Sequence, residues 1–546
     1  MSKYAGFNSV ELVKPRQSMF DLGHYKRMST RMGRLTPCFI AEAIPSDYFR
    51  GSSEILVRLA PLLAPIYDNI ELYVHFFFVP NRLLWEEWEE FITGGRLGVG
   101  VDPVTAPIPP FYAMDGLLEN GPALVAESSL LDYLGVPIIE DLPGYTNPAS
   151  YAGIYLDALP ALAYQKCFMD YYRDRNFVPD DFLEFPVPSG EITGSYDFLA
   201  IRTRSYQHDY FTSALPFTQR GEEVLMPLAG TGSVSYLDRT LMLDEDGVTP
   251  MTAGALSATS LVGGDTGIGT AGSGPGQVIN IDQVMLDSSA VSINDFRSAY
   301  ALQVWLERNA IGGSRYNEST LAHFGVRPQD SRLQRAEYIG GGRIPVKISE
   351  IVSTAYSNDG TDTIPLANLA GHGITYGNTN RFNYFCAEHG FIIGIASFMN
   401  TPSYHQGMPR MFRRRTFLDY PWPTFAKLGE QQVDKAELFA SAVNLTENGD
   451  GQLPLFGYQS RYADWKSIMP TNHGAFHSTL LYWTLTREFA SSPELGETFV
   501  RFDSATQDRI FAVQGDEDNF WLMVHNQCTV KRALPYFGTP NTLNFN

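Results

Sequence analysis

Cysteine is scarce in this chain. Cys38, Cys167, Cys386 and Cys528 are the only four in 546 residues, and neighbouring ones stand more than 100 positions apart. No CxxC or finger spacing exists, which excludes the common zinc modules and a disulfide framework and leaves buried or free thiols in a reducing compartment. Long apolar runs are missing too. The longest, Phe391 to Met399, falls far short of the roughly 18 residues that a membrane helix needs. No basic-then-apolar leader opens the chain, so it is expected to act in the cytoplasm or in a particle assembled there. Basic charge is in deficit: 40 Lys and Arg against 60 Asp and Glu leave a net charge of −20. That excludes a nucleic-acid binder using its whole surface, because phosphate contacts need clustered cations. One basic face stays open, and an acidic exterior keeps a concentrated assembly soluble. No GxSxG, no phosphate loop ending in GK[ST] and no repeat of fixed period is found.

What is present suits a large β protein. Apolar residues make up 44% and aromatics 13%, enough for a large core or a large subunit interface. Length alone would divide into three or four domains of ordinary size, but all-β folds with long insertions escape that rule. Residues 70–79 alternate strictly, with Ile70, Leu72, Val74, Phe76 and Phe78 on one face, which predicts a long strand covered on both sides. Pro80 ends it, and a helix is expected over 82–92. Further helical stretches are expected near 122–133, over 149–174 broken at Pro160, and from Ser292 to Arg308 with Gly312-Gly313 as its stop. Residues 196–211, Pro345–Val352, Phe385–Phe398, Arg509–Val513 and Phe520–Arg532 read as strands. In the last, Phe520, Leu522, Val524, Cys528 and Val530 share a face. Long strands at both ends with long excursions between them fit an antiparallel sandwich. A parallel α/β fold would need regular strand–helix alternation.

Three segments stand apart in charge. Residues 1–40 hold seven basic residues, Lys3, Lys14, Arg16, Lys26, Arg27, Arg31 and Arg34, against Glu11 and Asp21, a net +5. This reads as an extended basic arm, with 41–546 as the main domain. Residues 228–290 are Gly-rich and acidic, with Asp244, Asp246, Asp265 and Gly269 among them and no Lys or Arg between Arg239 and Arg297. Such a composition buries little core and is expected as a surface insertion. The third segment is Arg410, Arg413, Arg414 and Arg415 flanked by Met411, Phe412, Phe417, Tyr420 and Trp422. Arginine interleaved with rings suits single-stranded nucleic acid; ion pairing between subunits is the competing account.

The remaining chemical motifs are weak. Gly267 to Gly272 fits GxGxxG, but Pro275 follows where a helix should. His473 and His477 have an i, i+4 spacing that can hold a metal, yet Gly474 lies between them and no HExxH glutamate is present. Asp244-Glu-Asp246-Gly247 and Asn448-Gly-Asp450-Gly451 resemble pieces of calcium loops without the closing Glu. Glu86, Glu87, Glu89 and Glu90 crowd one helix, whereas catalytic carboxylates face each other across a cleft. No catalytic residue, metal or cofactor is therefore expected, and the chain is read as not an enzyme.

Several blocks, in order, carry a resemblance. They include Ser18-Met-Phe-Asp-Leu-Gly-His24 with Gly33-Arg-Leu-Thr-Pro37, Phe76-Phe-Phe-Val-Pro-Asn-Arg82, Tyr171-Tyr-Arg-Asp-Arg-Asn176 and His208-Asp-Tyr-Phe-Thr-Ser-Ala-Leu-Pro216. Gly312-Gly-Ser-Arg-Tyr316, Glu388-His-Gly390, Phe456-Gly-Tyr-Gln459 and Arg509-Ile-Phe-Ala-Val513 follow. Together they resemble the major capsid proteins of the microviruses, most closely the gokushovirus branch of these small single-stranded-DNA phages. The resemblance implies an all-β fold, an eight-stranded antiparallel jelly roll with long loop insertions and several short helices. It implies sixty copies of the chain in a T=1 icosahedral shell around circular single-stranded DNA. The implied partners are a small basic internal DNA-binding protein, a pilot protein and a host surface receptor; the implied location is the virion, assembled in the bacterial cytoplasm. On this view Lys14, Arg16, Lys26, Arg27, Arg31, Arg34, Arg410, Arg413, Arg414 and Arg415 face DNA. Residues 228–290, with Asp244, Asp246, Asp265 and Gly269, form a threefold protrusion. A jelly-roll carbohydrate-binding protein and a monomeric receptor-binding spike remain the alternatives.

Overall fold

The computed structural model describes residues 17–93, 107–142, 146–194, 196–221, 293–312, 333–352, 357–358, 363–364, 369–449, 451–512 and 517–537. Two compact units emerge, one of Met1–Thr218 with Ala310–Asn546 and one of Gln219–Asn309. In the second, the helix Ile293–Gly312 begins, close to the expected span. The expected insertion at 228–290, including Asp244, Asp246, Asp265 and Gly269, lies outside the described residues.

The first unit is mostly β. Its strands in chain order are β1 Ser18–Asp21, β2 His24–Thr30, β3 Thr36–Ala43, β4 Tyr48–Leu59, β5 Ile70–Pro80, β6 Phe111–Ala113 and β7 Tyr155–Asp157. They continue with β8 Glu337–Val346, β9 Ile348–Val352, β10 Ser357–Asn358, β11 Thr363–Ile364, β12 Leu369–Asn378 and β13 Phe382–Phe385. The last are β14 Gly390–Asn400, β15 Glu430–Asp434, β16 Leu455–Ser460 and β17 Phe520–Arg532. One sheet runs β1–β17–β4–β12–β9, with β2 also on β17 and β13 also on β4; another runs β3–β14–β5–β8. All these pairings are antiparallel.

Side-chain alternation explains the layering. Val74, Phe76 and Phe78 of β5, Ile392 and Phe398 of β14, Ile55 and Val57 of β4, and Phe520, Leu522 and Val524 of β17 meet in one core between the sheets. This is the face of β17 that the sequence pattern predicts. The opposite side of the β3–β14–β5–β8 sheet is also covered. Phe77 and Val79 of β5 and Ile393 and Ile395 of β14 pack on Trp85, Leu117, Leu162 and Tyr164 from the 81–200 segment. A strand buried on both faces loses its polar alternation, and all eleven residues of β14 are buried. The other sheet keeps one open face: β17 alternates buried with exposed or half-buried residues almost throughout.

Several expectations are corrected. From Ser18 onward the extended basic arm expected over 1–40 forms β1, β2 and β3 within the two sheets; its alternation is short and polar on one side, so it escapes notice as strand. Residues 196–211 form no strand. They hold a 3-10 turn at Asp197–Leu199 and isolated bridges from Thr203 and Ser205 to Arg34 and Arg501. In the strand expected at Arg509–Val513, the described residues 509–512 likewise give the end of a 3-10 turn and a single bridge from Phe511 to Leu62. Pro160 starts the helix Leu159–Cys167 instead of breaking one, since the first turn needs no N–H from it. The helix expected over 82–92 is regular only at Trp88–Thr93, because Trp85 is wholly buried and donates from Nε1 to Ser189 Oγ at 2.7 Å.

Candidate assembly and nucleic-acid surfaces

The basic residues of the N-terminal strands divide by the pleat of β2. Met28 and Thr30 point into the core, so Lys26, on the same side, points inward too. Its Nζ donates to the carbonyl of Pro37 at 2.8 Å and to that of Tyr133, and burial lowers its pKa. Arg34 Nη1 lies 3.0 Å from Asp518 Oδ1, and Arg31 Nε lies 3.5 Å from the same atom. Lys26, Arg31 and Arg34, expected to face DNA, are thus engaged within the chain. Arg27, one position over, is exposed. Lys14 and Arg16 lie outside the described residues.

The arginine block follows the same logic. Residues 405–425 lie beside the two-stranded sheet of β15 and β16. Arg413 Nη1 meets Asp434 Oδ2 at 2.7 Å and its Nη2 stands 3.4 Å from Glu437. Arg414 Nη2 meets Asp464 Oδ2 at 2.7 Å and stacks 3.9 Å above the Trp465 ring. Arg410 donates to the Gln432 carbonyl at 3.0 Å. Burial raises the pKa of Glu437, whose Oε2 also accepts from Tyr210 at 3.0 Å. The pairing is therefore real but internal to the subunit, and Arg410, Arg413 and Arg414 act as clamps holding 405–425 to β15. Arg415 alone of the four keeps an exposed side chain.

With the guanidinium groups turned inward, the rings turn outward. Phe412 and Phe417 are each 70% exposed, and Leu418, Tyr420, Trp422 and Leu428 are about half exposed or more. A contiguous apolar patch of this kind marks an interaction surface. The sequence displays these rings, but only the inward pairing of the arginines shows that they face outward.

The motifs with a possible chemical use come apart. His473 and His477 flank a short 3-10 turn with Gly474 at φ +64°, so they share no α-helical face; their ring centroids are 6.2 Å apart. Among the described residues no group of three or more His, Cys, Asp or Glu could hold a metal ion. Asn448 closes an ordinary turn, accepting from Gly451 N at 2.9 Å. Glu87 accepts from Ser189 Oγ. GxGxxG and Asp244–Gly247 lie outside the described residues. All four cysteines are buried and unpaired, and burial pushes the Cys38, Cys386 and Cys528 thiols up to about 12, which leaves them unreactive at neutral pH. Among the described residues no helix is long and apolar enough to cross a membrane.

Known proteins agree with a structural role. The family model described as capsid protein (F protein) matches residues 9–542. The chain is 32% identical to capsid protein VP1 of Chlamydia phage 1, over 98% of this chain and 97% of that one. It is 30% identical to capsid protein VP1 of Bdellovibrio phage phiMH2K, over 98% and 97%. It is 25% identical to capsid protein VP1 of Spiroplasma virus 4, over 96% and 95%. Taken with the antiparallel sheets and the outward apolar patch, these matches show that the chain belongs to the capsid protein (F protein) family, in a structural role.

Proposed function

We propose that this chain is the subunit of a T=1 icosahedral shell enclosing circular single-stranded DNA, and that its scaffold is an eight-stranded jelly roll. The observation that carries the capsid reading is the likeness to VP1 proteins over nearly the whole length of both chains. The jelly-roll reading is supported by strand order. Taken along the chain, β2, β3, β4, β5, β8, β12, β14 and β17 fall into the orders β2–β17–β4–β12 and β3–β14–β5–β8. The chain changes sheet at every step but β5 to β8, the winding of a double-sheet jelly roll.

Assembly then follows from surface chemistry. The sandwich is a rigid wedge, and the Phe412–Leu428 patch supplies apolar contact to a neighbouring copy. Closed icosahedral symmetry needs heterologous contacts around the five- and threefold axes, and many weak contacts together give a stable shell. Residues 228–290 form the outward protrusion and meet the host receptor, while Lys14, Arg16, Arg27 and Arg415 face the DNA. A small basic internal protein and a pilot protein complete the virion, assembled in the bacterial cytoplasm. Light scattering on the full chain expressed with those partners tests this: particles of megadalton mass are expected. A stable monomer under those conditions would turn the assignment to a carbohydrate-binding or receptor-binding jelly roll.

A further inference from the structure

The sheet containing β17 has an open face built as a regular grid. Register sets Tyr25 opposite His525 and His525 opposite Glu54 in one row. Arg27, Met523, Leu56 and Tyr376 form the next, and Ser29, Trp521, Arg58 and Ile374 a third. Tyr25 is 62%, Trp521 48% and Tyr376 65% exposed. Tyr25 stacks on His525 with centroids 4.3 Å apart. Arg27, Arg58, Trp521 and Met523 line a shallow depression of about 640 Å³.

Charge on this face runs against the rest of the molecule. Arg27, Arg50, Arg58 and Lys531 are exposed on it, against Asp21 and Glu54. Glu54 is already engaged by His525 at 3.5 Å and by Gln527 Nε2 at 2.9 Å. Arg31, Arg34, Arg413, Arg414 and Arg532 each hold a carboxylate of their own chain. Among the described residues Arg27 and Arg58 hold none. In a chain of net charge −20, two such arginines beside exposed rings select a polyanion with flat apolar parts.

We propose that this face is a seat for single-stranded DNA, with bases stacking on Tyr25, Trp521 and Tyr376 and phosphates held by Arg27 and Arg58. The proposal rests on the capsid reading and names the DNA contact within it. Strands lie about 4.8 Å apart and advance about 3.3 Å per residue, so the three rings stand roughly 12–16 Å from one another. An unpaired strand can lay a base on each and pass its backbone between them. Stacking on a ring is indifferent to base identity, which suits a shell that must accept a whole genome. Duplex DNA keeps its bases stacked on each other and offers these rings nothing.

The test uses assembled, DNA-filled particles of the unaltered full chain. Short-wave ultraviolet light joins bases to rings they stack on, and mass spectrometry locates the adducts. Nucleotide adducts on peptides containing Tyr25, Trp521 or Tyr376 are expected. In particles of the double variant Arg27→Ser, Arg58→Ser, adduct yield on those peptides should fall about tenfold, as two phosphate contacts are lost. DNA-filled particles whose adducts lie only elsewhere, as at 411–422, would overturn the site and leave the capsid reading intact. So would protein–protein cross-links from Tyr25 or Trp521 to a second copy. Failure to obtain particles holding DNA would remove the capsid reading, and this site with it.

Discussion

Arg34 and Asp518 stand 484 positions apart in the chain and 3.0 Å apart in the fold. Asp518 also accepts from Ser29 Oγ at 2.8 Å and pairs with Arg31 at 3.5 Å. One nearly buried carboxylate thus ties the β2–β3 turn to the start of β17.

Replacing Asp518 by Ala should therefore take from Arg31 and Arg34 a carboxylate that each pairs with, while Asp508 remains as a further negative group beside both. Breaking a buried pair from one side costs about 3–5 kcal/mol, and part of that applies here because both arginines keep some exposure. A loss of about 2–3 kcal/mol is expected in denaturant unfolding of the unassembled subunit. A loss under about 0.5 kcal/mol, the size of an ordinary surface change, would show that the clamp is dispensable.

Within the arginine block, the internal pairs predict a split. Arg413→Ala should destabilise the subunit, because it takes the nearest guanidinium from Asp434 and Glu437, both largely buried. Arg415→Ala should change stability by no more than about 0.5 kcal/mol. Thermal unfolding of the two variants distinguishes them; equal effects would contradict the clamp role of Arg413.

For assembly, Phe412→Ser with Phe417→Ser should leave subunit unfolding nearly unchanged, since both rings are 70% exposed. Sedimentation should show particle yield falling sharply. Normal particle yield from this double variant would exclude the patch from the subunit contacts.

Two buried carboxyls make a pH prediction. Burial pushes Asp68 and Asp508 up to about 6, above the ordinary aspartate value of about 3.9. The folded state therefore holds a proton on each that the unfolded state has released between about pH 4 and 6. Their contribution favours folding at the acid end of that window and is lost as pH rises through about 6. Asp68 accepts a hydrogen bond from the Leu485 N–H, which an amide oxygen can keep. Asp68→Asn should thus gain stability relative to the unaltered chain as pH rises from 4 to 6, with no further change above. A difference that does not vary with pH would contradict the shift.

Much of the sandwich is legible in the sequence where alternation is strict. Residues 70–79 and 520–530 announce β5 and β17 because every second side chain is apolar, Asn526 excepted. β4 is harder to see: Gly51-Ser52-Ser53 interrupts its pattern, and small residues there fit beneath the ring of Phe382, which stands within 3 Å of a Cβ added at Gly51. The partners of Arg413 and Arg414 could not be read, since Asp434 and Asp464 lie 21 and 50 positions away. The open face of β17 could be read in part, as Trp521, Met523 and His525 alternate with its core residues. Its neighbours Tyr25, Arg58 and Tyr376 depend on strand register, which no local pattern carries.

Cryo-electron microscopy of DNA-filled particles bearing this chain tests the central claim most directly. The account predicts a T=1 icosahedral map in which each subunit shows the β2–β17–β4–β12 and β3–β14–β5–β8 sheets, with 228–290 projecting outward. A map in which this chain lies outside the shell, as a separate spike or a decoration, would contradict it.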